Sequence, residues 1–417
     1  MKFTVGWLKD YLEFDCSVTD LCNKLTDIGL EVEKVLDPSK NLKSFKIAKI
    51  LKKSPHPNAD KLSLCEVFDG NENLQIVCGA NNARENLITV LAPVGTIIFS
   101  GEKNEFKIGN SKIRGEESNG MLCSEEELGL SNFSEGIIEL DESYKIGDKY
   151  SQYINDEDIM IEVAITPNRV DCAGVFGIAR DLFAADFGKL KKKKITKIES
   201  KFKTDIKLVN KLKDNDCPNF SIRLIKNVEN KDSSANLIKR FKKTDLKVIS
   251  SLVDITNFIT IDFCRPLHVF DYDKIEGNLT IRHSKKGEKF LGLDDENYEL
   301  DDGMIVICDD SGVISLAGIL GGKRTACDDK TKNVLIESAY FSPASIIKSG
   351  RKLNIQSDAR YRFERGIDPD SVDDGIEYAS EMILKNCGGE PGSIVTDSKN
   401  IVESNNIQIE KVFFDQV

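Results

Sequence analysis

Residues 54–67 have the sequence SPHPNADKLSLCEV, in which a turn with two prolines leads into an alternating apolar stretch. Proline fixes its own φ angle, so the turn is rigid, and the alternation after it is typical of a half-buried strand. Short apolar runs separated by turn residues make up this region: FKIAKIL (45–51), SLCEVFDG (63–70), QIVCGANN (75–82), ITVLAPVG (88–95) and FKIGNSKIRG (106–115). Five short strands in about 110 residues predict a small β-barrel over residues 41–152.

The segments on either side of this barrel are predicted to be two parts of one small α/β module. In residues 1–40, Ser17 caps a helix that ends at Gly29, and the sequence LEVEKV then alternates like a strand. In residues 153–190, the strand-like sequence IMIEVAI precedes a turn and a second helix. The lysine-rich residues 191–203 are the best candidate for a linker.

A larger α+β unit is predicted over residues 204–400. Helices are expected around 237–241, over roughly 247–260, and after the prolines at 343 and 369, with a glycine-punctuated β region at 279–323. The last stretch, residues 401–417, ends in the apolar sequence KVFFDQV. We interpret it as the start of a truncated next domain.

The composition excludes several classes of protein. With 417 residues, 40% hydrophobic and 30% charged, the chain has the size of about two to four soluble domains. No apolar run approaches about 18 residues, so we expect no membrane span and a cytoplasmic location. The net charge of −11 argues against blanket binding to nucleic acid, but it is compatible with a local basic face. The 11 cysteines are scattered and there are three histidines, which argues against a disulfide framework or a zinc site.

The proline turn and the segments after it resemble the EMAP-type tRNA-binding OB domain over about 110 residues. The resemblance is carried by SPHPNADKL (54–62), QIVCGA (75–80), KIRG (112–115), GMLCS (120–124) and ELGL (127–130). It implies an RNA-binding barrel with a positive groove, in which Lys61, Lys112 and Arg114 are the candidate tRNA-binding residues. The alternative is that the proline turn is only a rigid turn and that the barrel is an interaction module.

The frame around the barrel and the long unit after it resemble the β subunit of bacterial-type phenylalanyl-tRNA synthetases. The two segments that flank the barrel match the family in MKFTVGWLKDYL (1–12) and ITPNRVDCAGVFGIARDLFAA (165–185). The long unit matches the editing domain of that family in DLK (245–247), VDITN (253–257), PLH (266–268), LAGILGG (316–322), ESA (337–339), SDA (357–359) and RFERG (362–366). The implied fold class is multidomain α+β: a small α/β N-terminal module with an inserted OB-fold β-barrel, followed by an α+β editing domain.

In this family the editing domain hydrolyses mischarged Tyr-tRNA(Phe), and the resemblance implies which residues form its pocket here. The implied pocket consists of Lys247, Thr256, His268, Gly321, Glu337, Ser357 and Ala359. Glu337 would accept the phenol hydroxyl, Gly321 would let backbone approach the substrate closely, and Lys247 would lie near the tRNA end. The sequence has no GxSxG elbow and no evident catalytic triad, so hydrolysis would use a positioned water and no covalent nucleophile.

The resemblance also implies partners and cofactors. The partners are tRNA(Phe) and the synthetase α subunit, in an α2β2 heterotetramer that attaches phenylalanine to tRNA(Phe) with ATP and Mg²⁺. The ATP and Mg²⁺ sites are expected outside these 417 residues, no metal site is expected within them, and editing requires no cofactor.

The chain departs from the family pattern at a few positions. These are Lys247 where the family usually has Arg, Ser357 for Thr, Cys264-Arg265 for a Gly-Gln pair, and Tyr361 where His is common. Two alternatives therefore stay open: a structural tRNA-binding scaffold with an inactive editing pocket, and a free-standing tRNA-binding protein.

Overall fold

The computed structural model describes residues 1–37, 42–100, 104–130, 136–153, 159–191, 194–212, 216–399 and 408–410. The chain forms two compact units, the first made of residues 1–165, 179–192 and 238–248 and the second of residues 166–178, 193–237 and 249–417. Both units contain helices and sheets, so the predicted class of a mixed, multidomain α and β protein is confirmed. The finer domain limits stay predictions. The expected start of a further domain at 401–417 lies outside the described residues, apart from 408–410.

In the first unit, one small sheet joins strands from both ends of the sequence that encloses the barrel. It contains β1 (Lys2–Thr4), β13 (Met160–Val163) and β3 (Val32–Leu36), with β13 in the middle and antiparallel to both neighbours. A second, two-stranded pair joins β2 (Leu12–Glu13) to β14 (Lys189–Leu190). The strands predicted in LEVEKV and IMIEVAI are thus confirmed, and the two flanking segments share a sheet as expected.

The barrel region contains a five-stranded antiparallel sheet and two hairpins. From edge to edge the sheet contains β12 (Met121–Leu122), β7 (Ile88–Ala92), β4 (Lys46–Pro55), β5 (Ser63–Phe68) and β6 (Asn73–Cys78). One hairpin pairs β8 (Ile97–Ser100) with β9 (Asn104–Lys107), and the other pairs β10 (Ser111–Ile113) with β11 (Glu116–Ser118). Four predicted strands are confirmed, but the run FKIGNSKIRG is divided between β9 and β10 by Gly109 and Asn110. The fifth strand of the sheet is β12, which is too short for its alternation to show in the sequence.

The second unit contains two larger sheets and a hairpin. The first sheet contains, from edge to edge, β17 (Leu267–Asp271), β24 (Val334–Tyr340), β16 (Asn219–Lys226) and β25 (Glu390–Ser398). The second sheet contains, from edge to edge, β15 (Leu208–Asn210), β18 (Leu279–His283), β21 (Ile305–Asp309), β22 (Gly312–Leu316) and β23 (Leu320–Gly321). The hairpin consists of β19 (Glu288–Leu291) and β20 (Asn297–Leu300). Phe220, Phe270 and Ile307 belong to one hydrophobic core that both sheets share. The predicted β region at 279–323 is confirmed.

The helices are α1 (Val5–Lys9), α2 (Val18–Asp27), α3 (Val175–Ala184), α4 (Ala235–Lys243), α5 (Ser251–Phe263), α6 (Pro343–Leu353), α7 (Asp358–Phe363) and α8 (Val372–Cys387). The hydroxyl of Ser17 accepts a hydrogen bond from the Asp20 N–H at the start of α2, as the capping pattern predicted. α6 begins at the predicted proline. The second proline begins a short 3-10 turn, Pro369–Ser371, that leads into α8.

The helix predicted at 247–260 is displaced, because α5 begins only at Ser251. The reason is a side-chain hydrogen bond that the sequence pattern does not reveal. The carboxylate of Asp254 accepts from the Ile249 N–H at 2.9 Å and from the Ser233 hydroxyl at 2.6 Å. This cap holds the chain before Ser251 outside the helix.

A buried arginine ties three segments of the second unit together. Arg223 on β16 has a side chain that is 2% exposed, and it donates to the Glu377 carboxylate at 2.7 Å. It also donates to the carbonyls of Gly392 at 2.9 Å and Ile198 at 2.6 Å. Ile198 belongs to the predicted lysine-rich linker, and its N–H donates to Glu377 as well. This part of the predicted linker is therefore fixed to the second unit.

We predict that Arg223→Ala lowers the free energy of unfolding of the second unit by about 3–5 kcal/mol, because the Glu377 charge would stay buried without its counter-ion. The control is Lys201→Ala, which removes an ion pair to Glu390 of 4.0 Å between side chains that are mostly exposed. That change should stay within about 0.5 kcal/mol. Urea denaturation of both variants measures the difference, and equal midpoints would contradict the role assigned to Arg223.

Candidate functional site

The proline turn of the first unit is fastened to the hairpin of β10 and β11 by two side chains. The buried His56 ring donates from Nε2 to the Ile113 carbonyl at 3.0 Å, because its Nδ1 accepts from the Asn58 N–H at 3.0 Å. The Asn58 amide donates to the Arg114 carbonyl at 3.1 Å. The two bonds to the hairpin carbonyls hold the turn and the hairpin against each other, and the bond within the turn orients the His56 ring.

The hydrogen bonds of His56 and Asn58 to the hairpin form a clamp, and this clamp sets the positions of the three predicted tRNA-binding cations. Arg114 and Gly115 both have positive φ, 53° and 99°, which is the conformation of a two-residue hairpin turn. Lys61 and Arg114 are exposed, and Lys112 is 71% exposed, with Glu117 3.9 Å away. The cations therefore lie on two neighbouring, rigid pieces of backbone and face solvent.

A cavity of about 60 Å³ in the second unit contains part of the predicted editing pocket. Its lining includes the predicted residues His268, Gly321, Glu337 and Ala359. It also includes residues that the sequence did not single out: Pro266, Leu267, Ser315, Leu316, Gly318, Ile319, Leu320 and Phe363. Most of these residues lie in the sequence motifs quoted above, and nothing else in the sequence indicated that they line a cavity. A cavity of this size holds a few water molecules.

His268 and Glu337 are the two titratable groups of this cavity, and both are held in the uncharged state. They are direct partners in the antiparallel pairing of β17 with β24. Burial raises the pKa of the Glu337 carboxyl to about 8, and burial lowers the pKa of the His268 imidazole to about 4. At neutral pH the cavity therefore presents a carboxylic acid beside a neutral imidazole.

Neither group has a polar partner among the described residues. The His268 ring is half-buried, but its Nε2 is fully buried without a hydrogen bond. The Glu337 carboxyl is 6% exposed and forms no hydrogen bond or ion pair with the residues that the structure describes. Unsatisfied polar groups of this kind cost about 1–3 kcal/mol each, so they call for a ligand that supplies the missing bonds.

At Gly321 the backbone lies so close to His268 that there is little room for a side chain. A Cβ atom on it would lie 2.3 Å from His268 Cε1 and 2.9 Å from Leu293 Cδ1. With any larger residue the His268 ring would have to shift, so glycine lets the β23 backbone lie against the imidazole in its present position. The prediction that Gly321 lets backbone approach the substrate closely stays a prediction.

The other predicted pocket residues do not line the cavity. Ser357 caps α7, and its hydroxyl donates to the Ile319 carbonyl at 2.7 Å, so it holds the loop that forms one wall. The Thr256 hydroxyl donates to the Val253 carbonyl at 2.8 Å within α5. Lys247 is exposed and belongs to the first unit. The roles predicted for these three residues stay predictions.

The departures from the family pattern have structural roles here. Cys264 ends α5 with a φ of 52°, where the family's glycine would meet no strain. The Arg265 guanidinium is fully buried, and it donates to the Ala339 carbonyl at 2.9 Å, the Ser371 hydroxyl at 2.9 Å and the Asp368 carbonyl. The Tyr361 ring lies 3.8 Å from the Arg365 guanidinium carbon.

Within the ranges that the structure describes, no group of three or more His, Cys, Asp or Glu side chains is arranged to hold a metal ion. The helices of the described residues are too short or too polar for any of them to cross a membrane.

Two family models match the chain, a tRNA binding domain over residues 45–149 and the B3/4 domain over residues 216–388. The phenylalanine–tRNA ligase β subunit of Rhodopseudomonas palustris is 48% identical over 398 residues, which are 95% of this chain and 49% of the relative. That of Bradyrhizobium diazoefficiens is 47% identical over 402 residues, 96% of this chain and 50% of the relative. A solved N-terminal fragment of the phenylalanyl-tRNA synthetase β subunit from Pyrococcus horikoshii covers 58% of this chain and 67% of that chain, at 14% identity. Its TM-score is 0.34.

The clamped turn lies within the tRNA binding match and the cavity within the B3/4 match. Over nearly its whole length the chain is similar to phenylalanine–tRNA ligase β subunits, which are subunits of an aminoacyl-tRNA ligase, as its motifs predicted. It spans about half the length of the curated relatives it matches.

We predict that Glu337→Gln changes how stability depends on pH. The folded protein keeps a proton on Glu337 between pH 4.5 and about 8, whereas the unfolded chain releases it. The free energy of unfolding of the wild type therefore falls as pH rises through this window, by on the order of 1.4 kcal/mol per unit of pKa shift.

The glutamine variant has no proton to release at this position, so its advantage over the wild type should grow from pH 4.5 to 8. His268 has the opposite effect, since its lowered pKa removes stability as pH falls from 6.5 to about 4, but both proteins share it. Denaturation midpoints at several pH values measure the difference. Parallel pH curves for the two proteins would show that Glu337 is not protonated in the folded state.

Proposed function

We propose that the chain binds tRNA(Phe) and that its second unit hydrolyses mischarged Tyr-tRNA(Phe) in the cavity of His268 and Glu337. The observation that carries the proposal is an imidazole and a carboxyl group, both uncharged and without a polar partner among the described residues, that line one cavity within the B3/4 match. Perturbed, unsatisfied groups in a cavity are characteristic of functional sites.

Glu337 supplies the discrimination between tyrosine and phenylalanine. A site shaped for the phenylalanine ring rejects an added hydroxyl only on the order of a hundredfold, so a second site has to recognise the hydroxyl directly. The carboxylic acid of Glu337 can accept a hydrogen bond from a phenol and also donate one. A phenylalanyl group would leave it buried and unpaired, at a cost of about 1–3 kcal/mol.

Hydrolysis requires a water molecule at the ester carbonyl. Water adds its oxygen to the carbonyl carbon, the bond to the ribose oxygen breaks, and the products are tyrosine and free tRNA. The neutral His268 imidazole, with Nε2 unpaired, is suited to hold such a water by a hydrogen bond. The cavity holds only a few waters as it stands, so a tyrosyl ring enters with movement of side chains such as Leu320 at its edge.

The first unit supplies the tRNA contact in this proposal. We assign its sheet and hairpins to an OB-fold barrel, with Lys61, Lys112 and Arg114 on tRNA phosphates. The clamp between the proline turn and the hairpin supports this assignment, because it presents all three cations on rigid backbone. Cations held in place lose less conformational entropy on binding than free side chains on mobile loops.

The remaining features belong to the whole ligase. We propose the α subunit as a partner in a cytoplasmic α2β2 heterotetramer, which attaches phenylalanine to tRNA(Phe) with ATP and Mg²⁺. The ATP and Mg²⁺ sites are assigned to parts of that assembly other than this chain, and no step of the editing proposal passes through them.

The decisive experiment measures release of tyrosine from preformed Tyr-tRNA(Phe) by the chain, with Phe-tRNA(Phe) as the control substrate. We expect selective release from Tyr-tRNA(Phe). Glu337→Ala should lower kcat/KM for this substrate about ten- to a hundredfold, the equivalent of one lost hydrogen bond. Glu299→Ala, an exposed carboxylate on β20, is the matched control and should leave the rate unchanged.

Full activity in a folded Glu337→Ala variant would refute the role of that carboxyl. Absence of release by this chain and also by the full heterotetramer would mean that the pocket is inactive and that the chain is a structural tRNA-binding scaffold.

A further inference from the structure

A second and larger cavity lies in the first unit, next to the predicted tRNA-binding cations. Its volume is about 720 Å³, within the range of pockets that enclose small organic ligands. Val77 of β6 and Met121 of β12 belong to its sheet side. Phe106 of β9 and Ile113 of β10 line it from the two hairpins, and Leu62 of the proline turn completes the border.

The lining combines apolar surface with a few polar groups that are free to bind. Asn81 and Ser111 line the cavity and are exposed. Within the part of the chain that the structure describes, neither side chain has a hydrogen-bond partner. An amide and a hydroxyl together provide donors and acceptors of the kind that match the polar edge of a nucleobase.

Phe106 has a ring that faces the cavity. In the pairing of β8 with β9 it lies opposite Ile98, which is fully buried, so the two side chains share the face of the hairpin that is turned toward the barrel. Phe106 is nevertheless 45% exposed. No other aromatic ring of the described residues stacks on it. A half-exposed ring at the edge of a cavity is a platform on which a planar base can stack.

The three cations are direct sequence neighbours of residues that line this cavity. Lys61 directly precedes the lining residue Leu62, and Lys112 and Arg114 flank the lining residue Ile113. The clamp formed by His56 and Asn58 fixes their spacing. A base that enters the cavity would therefore have cations near the border of its site, where its neighbouring phosphates would run.

We propose that this cavity binds one unstacked nucleobase of the tRNA, stacked on Phe106, while Lys61, Lys112 and Arg114 bind the flanking phosphates. The inference rests on the proposed tRNA binding and specifies what is bound: an unpaired base of a loop, because a base inside a helix cannot reach a cavity. The polar groups of Asn81 and Ser111 would then contact the base edge.

The test uses the full 417-residue chain and an RNA hairpin that carries the fluorescent base 2-aminopurine in its loop. Stacking on an aromatic ring quenches this base. Phe106→Ala should weaken binding of the hairpin about ten- to a hundredfold and abolish the quenching. Binding of a fully paired RNA duplex should stay the same, and Phe106→Trp should restore the quenching.

Ile97→Ala is the matched control. Ile97 is 44% exposed, lies on the same hairpin and pairs with Lys107, so its side chain is on the opposite face from Phe106. It should change neither affinity nor fluorescence. Lys112→Ala, in contrast, should weaken binding of both RNAs and reduce the salt dependence of the affinity by about one charge.

The outcomes separate the two proposals. If the wild-type chain binds the hairpin but Phe106→Ala behaves like Ile97→Ala, the base pocket is refuted and tRNA binding stands. If the wild-type chain binds neither RNA, the tRNA-binding function is refuted and the pocket with it. Thermal midpoints of all variants show whether a loss of binding comes from loss of folding.

Discussion

The antiparallel pairing of β17 with β24 brings His268 opposite Glu337 inside the second unit, and the chemistry of the cavity depends on it. Successive residues of a strand point to opposite faces, so a shift of one residue in this register would turn Glu337 away from His268. Burial then removes the charge from both groups. The result is a polar pair without hydrogen-bond partners among the residues that the structure describes, beside a glycine at which a Cβ atom would press against the imidazole.

Buried arginines stabilise the segments around the cavity but do not form an ion pair with Glu337. Arg265 and Arg362 are fully buried, and they donate mainly to backbone carbonyls, among them those of Ala339 and Ala173. Because these guanidinium groups are satisfied elsewhere, none of them lies against Glu337 as a counter-ion, and burial alone sets the pKa of that carboxyl. A cation beside Glu337 would have ionised it and changed what it recognises.

The sequence was informative where a local pattern determines a local structure. The cap at Ser17, the alternating runs of β4 to β7 and the proline at the start of α6 all follow from rules that involve a few neighbouring residues. The two residues of β12 and the displaced start of α5 follow from contacts between distant segments, which no local pattern contains.

The same division applies to the candidate site. The motifs located His268, Gly321, Glu337 and Ala359, which share the cavity. They could not show that the hydroxyls of Ser357 and Thr256 bond to backbone carbonyls, because a hydroxyl has the same sequence signal whether it faces a ligand or the main chain. The sequence likewise does not show which arginines are buried, since arginine is most often a surface residue.

The place of β13 between β1 and β3 has a consequence for the order in which the chain is built. During synthesis β1 and β3 emerge early, but the strand that must lie between them is made only after the whole barrel. The barrel pairs strands that are close in sequence, so it can fold while the first module is still incomplete. Once folded, the barrel holds Lys46 beside Lys149, which shortens the loop that has to close between β3 and β13 and lowers the entropy lost when β13 inserts. The module that begins the chain is thus completed only after the barrel, and the folded barrel prepares its closure.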